Sequence, residues 1–423
     1  MQQLKMPLYR NAIYLMINQV LTGAFGLVFW VVAARLYVAD DVGKASAAVS
    51  AILLLTLLTN LSLDYALVRF LPEATDDDSI AMINTCLTVT GLASIAMAAV
   101  FLAGLQFWSP ALIFLRDKPL YAVAFVIFVA MAAMFIVQDR ALIGMRSAGY
   151  TLVKGTMFNV LRVGLLVPLA ALFGAFGMVS AWGIASTVPL VIGAVLFLPR
   201  VRPSYRPIPK ISRRVIDRIL RYSLTNWLSV LLWSAPVYIL PLMVANLVGT
   251  ESNAYFYVAW SIANLLFQIP TAVSFSLFAE GSIDEEQLER NTQKSLKLTF
   301  LVVIPASVLL AVSAGLILMI YGGDYAANGA NLLRVLVLSA VPMSVNCTYF
   351  VVERVRLRLR NVVVMSASIA VATLGLSWFL LPRIGIVGAG IAWLSSQTAA
   401  AVVVFFLLRR LSTANVAEPT VKP

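Results

Sequence analysis

"RVRPSYRPIPKISRRVIDR", Arg200 to Arg218, is the one long stretch of this chain in which prolines and basic residues take the place of apolar ones. On both sides of it, apolar runs follow one another at bilayer-crossing length. A hydrocarbon core of ~30 Å takes about 20 residues of helix at ~1.5 Å each. By that measure the spans before it are 11–34, 44–64, 80–104, 120–138, 151–173 and 177–198. Those after it are 222–247, 254–277, 298–320, 330–352, 361–381 and 387–408. Six precede the stretch and six follow. Residues 1–199 therefore read as an N-terminal six-helix lobe, 200–221 as a basic cytoplasmic linker, 222–410 as a C-terminal six-helix lobe and 411–423 as a cytoplasmic tail. The fold class is all-α integral membrane, with about twelve transmembrane helices. The linker's charge has two readings, topogenic charge on a solvated segment or contact with anionic lipid headgroups.

Composition agrees. The 423 residues are 61% hydrophobic and 12% charged, where soluble domains carry about 25% charged residues. The first apolar run follows a short basic leader and lacks a small-residue cleavage site, so it reads as a span that stays in the membrane. Histidine is absent, which excludes Ser/His/Asp, Cys/His and His–zinc chemistry. The two cysteines, Cys86 and Cys347, lie inside apolar segments and read as inert buried thiols.

The net charge of +12 is distributed, not pooled. With the N-terminus inside, one face holds about two dozen Lys and Arg, among them Arg10, Arg140, Arg146, the linker cluster, Arg354, Arg356, Arg358, Arg360 and Arg409–Arg410. The other face holds Arg35, Lys44, Arg116, Lys118 and Arg383. That asymmetry is the positive-inside pattern and puts both termini in the cytoplasm. It accounts for the charge without a nucleic-acid partner.

The two halves resemble each other. "FIVQDRALIGMR" (Phe135 to Arg146) ends span four and "YFVVERVRLRLR" (Tyr349 to Arg360) ends span ten, matching Asp139–Arg140 to Glu353–Arg354 at a constant offset. "GMVSAWGIAS" from Gly177 and "GIVGAGIAWLSS" from Gly385 open spans six and twelve, and "ARLYVADDVGKASAAVS" from Ala34 parallels "ANLVGTESNAYFYVAWS" from Ala245. Six spans per half leave both halves in the same orientation, so a pseudo-two-fold axis along the membrane normal is expected.

Polar side chains within spans are costly against lipid and should face a partner helix or a cavity. Span eight lines up Tyr257, Ser261, Asn264, Gln268 and Thr271 at helical spacing; span two lines up Thr56, Asn60 and Asp64; span one lines up Tyr14, Asn18 and Thr22. Span seven adds Asn226, Ser229 and Ser234, with Pro236 and Pro241 expected to kink it. Two readings stand, helix–helix glue and a water-filled cleft between the lobes. Arg162 is the sharpest case. It lies about eleven residues into span five, ~16 Å deep, on one face with Asn159, Gly155 and Thr151. A charge at that depth costs at least ~2.5 kcal/mol. Either it pairs with an acid and fixes packing, or it faces an anionic substrate, for which guanidinium offers forked bonds. Arg69, just beyond span two, has a headgroup reading at the cytoplasmic mouth beside an ordinary topogenic one. Asp139–Arg140 and Glu353–Arg354 read as gate or packing ion pairs.

No P-loop pattern occurs, and "TDDDS" (Thr75 to Ser79) reads as a solvated loop. Short outer loops and the missing histidines count against a membrane-embedded glycan polymerase or ligase. A cation-coupled multidrug exporter is the other alternative, and it would prefer acids deep in its lobes. No cofactor is expected; Na⁺ and H⁺ both stand as coupling ions.

The opening segment, "NAIYLMINQVLTGAFGLVFWVVAARLYVADDVGKASAAVSAILLLTLLTNLSLDYALVRFLPEA" (Asn11 to Ala74), closely resembles the start of bacterial polysaccharide export proteins. These are the O-antigen and teichoic-acid-type flippases of the multidrug/oligosaccharidyl-lipid/polysaccharide exporter superfamily. "AARLY", "DVGKASA" and "LDYALVRFLPE" carry the likeness, together with the glycine-rich openings at Gly177 and Gly385. The resemblance implies a two-lobed transporter of the bacterial cytoplasmic membrane that works by alternating access, not an enzyme. It implies a substrate, an oligosaccharide joined through pyrophosphate to a polyprenol, and as partners the surrounding lipids and the polymerase and glycosyltransferases of surface polysaccharide synthesis. Spans one, two, seven and eight would border its cleft. Lipid II flippases often carry two further spans that this chain lacks.

Overall fold

The computed structural model describes residues 7–281, 288–356 and 358–416. The first half of the chain forms α1 (Pro7–Leu36), α2 (Ala39–Asn60), α3 (Leu63–Phe70), α4 (Asp76–Ala103), α5 (Pro119–Gly144) and α6 (Ala148–Ile192). The second forms α7 (Arg213–Leu247), α8 (Thr250–Gly281), α9 (Leu288–Met319), α10 (Gly323–Leu338), α11 (Ala340–Val355), α12 (Leu359–Ile384) and α13 (Val387–Val416). No strand occurs among the described residues.

Among the described residues, eleven helical stretches are long and apolar enough to cross a membrane. One of them, Ala148–Val201, has 54 residues, ~81 Å if straight, which is nearly three crossings of ~30 Å. It is broken at Gly174, whose φ of 55° and ψ of −132° leave the helical region and suit a residue without Cβ. A Cβ placed on Gly177 would fall 2.0 Å from the Leu169 carbonyl oxygen, so the two arms of α6, 148–173 and 175–192, meet backbone to backbone. They are the expected spans five and six, and they bring the crossings to twelve. α10 and α11 meet at Ser339 and together make a single stretch, Gly323–Val355. α7 continues in helical form through Pro236 and Pro241. Leu309, Val312 and Leu316 of α9 are 69%, 79% and 77% exposed, a one-sided apolar stripe of the kind that faces lipid.

The internal repeat is real, but its register differs from the one the charges suggest. α1 and α7 end at Leu36 and Leu247, and α2 and α8 start at Ala39 and Thr250. α5 and α11 end at Gly144 and Val355, and α6 and α12 start at Ala148 and Leu359. The turn recurs as well. Gly385 has φ 64° and ψ −153°, and a Cβ on Gly388 would lie 2.8 Å from the Leu380 carbonyl oxygen. All these pairs are 211 residues apart. Of the three sequence matches, only the one starting at Ala34 and Ala245 has that offset. Asp139 therefore corresponds to Phe350 and Glu353 to Leu142, and Gly385 corresponds to Gly174, not Gly177. Matching charges moved the register by three residues, nearly one helical turn, so the acid–base pair is not a repeated feature.

By internal contacts the chain divides into two compact units, residues 1–254 and 255–423. In the first, Leu67, Leu71, Met82, Cys86, Leu142 and Ile219 pack around Tyr205, which is wholly buried. Tyr205 belongs to the basic linker, which is docked and not merely solvated. The Asn84 amide donates to the Arg206 carbonyl at 2.9 Å, and the Lys210 and Ser212 backbone N–H groups donate to Thr88 and Thr85 at 3.2 and 3.1 Å. Arg202 pairs with Asp76 at 2.7 Å. In the second unit, Trp393 of α13 meets Trp260 and Phe267 of α8 at ring separations of 5.1 and 6.2 Å. Cys86 and Cys347 are free and buried.

Candidate functional site

α1 and the first arm of α6 are locked by a row of small and polar residues. Thr151, Gly155, Asn159 and Arg162, the face expected from their spacing, are all buried. Gly155 is a notch: a Cβ there would lie 1.9 Å from Asn18 Oδ1, so the missing side chain admits that of Asn18. One turn on, Asn159 Nδ2 donates to Thr22 Oγ1 at 3.2 Å. Next, Arg162 Nη2 donates to the Thr22 carbonyl at 3.1 Å. The guanidinium lies over the rings of Phe158 and Phe29, 4.9 and 6.0 Å from their centroids, an arrangement in which the ring faces attract the cation. Gly26 brings only backbone beside it, with a virtual Cβ 3.5 Å from Arg162 Nη2. Arg162 is thus 7% exposed and seated on aromatic and backbone groups. Asn18 Oδ1 and Asn159 Oδ1 are buried acceptors with no hydrogen-bond partner among the described residues. Four of the expected site residues, Asn18, Thr22, Asn159 and Arg162, are therefore brought together.

The ion pairs differ from those expected. Asp139 does not pair with Arg140, because adjacent residues on a helix do not face each other. Asp139 Oδ1 lies 2.8 Å from Lys154 Nζ of α6, and that ammonium lies 4.2 Å from the Phe135 ring centroid. Arg140 turns to Asp64 at 3.6 Å and over the ring of Tyr65 at 5.3 Å. Burial pushes the Asp64 carboxyl above its ordinary value, against the pull of Arg140. Lys154 is wholly buried, and the sequence reading passed over it. The signal was present: it is a lysine inside an apolar span, next to Gly155 of the polar face.

The remaining candidates are dispersed. Asn60 is buried at the end of α2, but Leu61 and Ser62 adopt left-handed backbone there, φ 48° and 53°. The Thr56–Asn60 stripe therefore does not continue to Asp64, which belongs to α3. Arg69 is exposed and pairs with Glu73 at 3.0 Å. Asn226 of α7 has a buried amide nitrogen without a hydrogen-bond partner among the described residues. In the second unit, Ser261 and Asn264 donate back to the Tyr257 and Trp260 carbonyls of their own helix, at 2.7 and 2.8 Å. Gln268 is exposed. Glu353 accepts from the Asn361 amide at 2.5 Å, and Arg354 is half-buried beside it in sequence. No group of three metal-ligating side chains forms among the described residues.

A family model described as polysaccharide biosynthesis protein matches residues 8–280, well over half of the chain. The chain belongs to the polysaccharide biosynthesis protein family. The family protein is 27% identical over 173 residues to a putative O-antigen transporter of Shigella flexneri, a match covering 40% of this chain and 41% of that one. It thus spans about two fifths of the length of that curated relative. Among solved structures, it is similar to the lipid II flippase MurJ in an inward closed conformation, with TM-score 0.74 and 11% identity over 94% of this chain and 87% of the other. It is also similar to an inward-facing multidrug resistance MATE family transporter of the MOP superfamily, with TM-score 0.70 and 15% identity over 97% and 100%. At those identities the likeness is one of fold. The family protein is a multi-pass helical membrane protein, and the proteins it resembles are named as transporters and flippases.

Proposed function

We propose that the family protein carries a polyprenyl-pyrophosphate-linked oligosaccharide from the cytoplasmic to the outer leaflet of the bacterial cytoplasmic membrane. It does so by alternating access of two six-helix lobes, with both termini cytoplasmic. The observation that carries this reading is the Arg162 seat. A guanidinium deep in a span is expensive, and here it is fixed beside the hydrogen-bonding groups of Asn18, Thr22 and Asn159. A phosphate-bearing sugar headgroup presents the matching chemistry, anionic oxygens for the guanidinium and hydroxyl donors for the amide oxygens. Family membership and the likeness to an O-antigen transporter favour the same class of cargo. A cation-coupled drug exporter of the same superfamily needs an acid free to take up a cation. In the first unit, Asp139 already has Lys154 as its counter-ion.

The test is deletion of the gene and complementation with wild type or Arg162→Ala. In the deletion strain the expected result is lipid-linked oligosaccharide accumulating while surface glycan falls. Wild type reverses both, and Arg162→Ala, inserted at normal abundance, reverses neither. Unchanged glycan with new sensitivity to cationic dyes would replace this reading with the drug exporter. Full complementation by Arg162→Ala would remove Arg162 from the site.

A further inference from the structure

Between α12 and α13 of the second unit lies a groove of about 580 Å³, within the ~300–1,000 Å³ of ordinary ligand sites. Its walls are mostly apolar, and its one charged lining residue is Arg360, which with Asn361 stands in the first turn of α12. From Arg360 to Ala372, the last lining residue on α12, the helix rises ~18 Å. One leaflet of a ~30 Å hydrocarbon core is ~15 Å deep. The groove is thus about one leaflet long, mostly apolar with Ser368 and Ser396 along it, and cationic at one end.

Its origin is visible in the repeat. The matching positions of the first half carry larger side chains: Met157, Leu161, Val188 and Pro189 stand where the second half has Ser368, Ala372, Ala399 and Ala400. In the first half Phe158 packs edge-on against Trp182, with centroids 5.7 Å apart. In the second, Ile369 replaces that phenylalanine, and the matching Trp393 has turned to Trp260. At these positions of the same helix pair, the second half carries the smaller side chains.

We propose that this groove holds one acyl chain of an anionic phospholipid from the leaflet on the arginine-rich face, with the lipid phosphate at Arg360. Val364 and Val403, on the two walls, are 57% and 48% exposed, so a chain can enter sideways from the bilayer. Arg360 ends the run Arg354, Arg356, Arg358 and Arg360. It stands in the first turn of α12, the helix end that favours phosphate. Glu353, the acid at this end, is 2% exposed and bound by Asn361, and does not itself line the groove. The length selects the occupant: a polyprenol long enough to cross both leaflets would overrun a groove that ends at Ala372. This site is independent of what the protein transports.

The experiment is native mass spectrometry of the full-length protein, delipidated and then given phosphatidylglycerol, phosphatidylcholine or polyprenyl phosphate. One phosphatidylglycerol should remain bound at activation energies that strip phosphatidylcholine. Arg360→Gln should lower its retention about five- to tenfold. Ser368→Leu with Ala400→Leu, which places larger apolar side chains in the groove, should abolish retention with no change of charge. Ala372→Leu serves as a second filling variant should the pair reduce folded yield. Equal retention of both phospholipids, retention that survives filling, or polyprenyl phosphate held in place of phosphatidylglycerol would overturn the proposal.

Discussion

Removing one partner of the Lys154–Asp139 pair leaves a charge stranded inside the first unit. Lys154 is fully buried and its contacts are Asp139, the Phe135 ring and the Phe135 carbonyl at 3.4 Å. Breaking a buried pair on one side costs about 3–5 kcal/mol, whereas replacing both members by apolar groups is often neutral or stabilising. The second half of the chain already supplies that replacement, with Phe350 and Met365 at the matching positions. Lys154→Ala is therefore expected to lower the unfolding temperature in detergent sharply. The double variant Lys154→Met/Asp139→Phe should return it to the wild-type value or above. Glycan export by the double variant then separates two roles. Export at the wild-type level means the pair only packs α5 against α6; export lost in a stable protein means the charges take part in turnover.

At the scale of elements, the linker is the least expected feature. Its prolines and arginines read as a solvated connection, yet Tyr205 inserts into the core formed by α3, α4, α5 and α7. Truncating a buried ring costs about 3–5 kcal/mol, so Tyr205→Ala should cause the linker to detach, measured as faster proteolysis between Arg200 and Arg218. The hydroxyl gives a second, opposite signature. It is buried without a hydrogen-bond partner among the described residues, and burial pushes its pKa from 10.0 up to about 12. Below pH 10 the hydroxyl is neutral in both the folded and the unfolded protein. Between pH 10 and 12 the unfolded chain loses the proton while the folded protein keeps it, so stability falls with rising pH. At ~1.4 kcal/mol per pKa unit the loss approaches ~3 kcal/mol. Tyr205→Phe should match wild type at neutral pH and lose less stability from pH 10 to 12. Identical alkaline denaturation curves for the two proteins would mean that Tyr205 ionises as freely in the folded state.

At the scale of the whole molecule, the crossings and their repetition were legible because both are carried by hydropathy and helix length, which average over twenty residues. The two parts of the Asn18–Thr22–Asn159–Arg162 row were legible for a related reason, since helical spacing puts Asn18 with Thr22 on one face of α1 and Asn159 with Arg162 on one face of α6; that the two faces meet was not legible. What was not legible depends on single backbone angles and on partners distant in sequence. The break at Leu61–Ser62 detached Asp64 from its stripe, and the true offset of the repeat, carried by one of the three sequence matches, was singled out by the helix ends and the glycine turns at Gly174 and Gly385. The pairing of Asp139 with Lys154 needs the packing of α5 on α6. No local pattern marked the docking of Tyr205.

Inside the first compact unit, residues 1–254, the starts of α2 and α8 share a close contact. The N-terminal ends of α2 and α8 meet closely enough that a Cβ on Gly43 would lie 1.6 Å from the Thr250 carbonyl oxygen. Asn253 Nδ2 donates to the Gly43 carbonyl and to Ser46 Oγ at 2.9 and 3.0 Å, and the Thr250 hydroxyl donates to the Asp40 carboxylate. The alternating access proposed above would have this contact, which lies within residues 1–254, part once per cycle. A covalent tie across it should therefore arrest transport without unfolding anything. The tie is Asp40→Cys with Thr250→Cys, in a background with Cys86 and Cys347, the two buried free thiols, replaced by alanine. Under oxidising conditions the cross-linked protein should leave lipid-linked oligosaccharide unexported, and a reductant added to the same cells should restore export. Each single cysteine should export under both conditions. If the oxidised double variant, shown by gel shift to be fully cross-linked, exports normally, the contact is a fixed joint and the moving surfaces lie elsewhere.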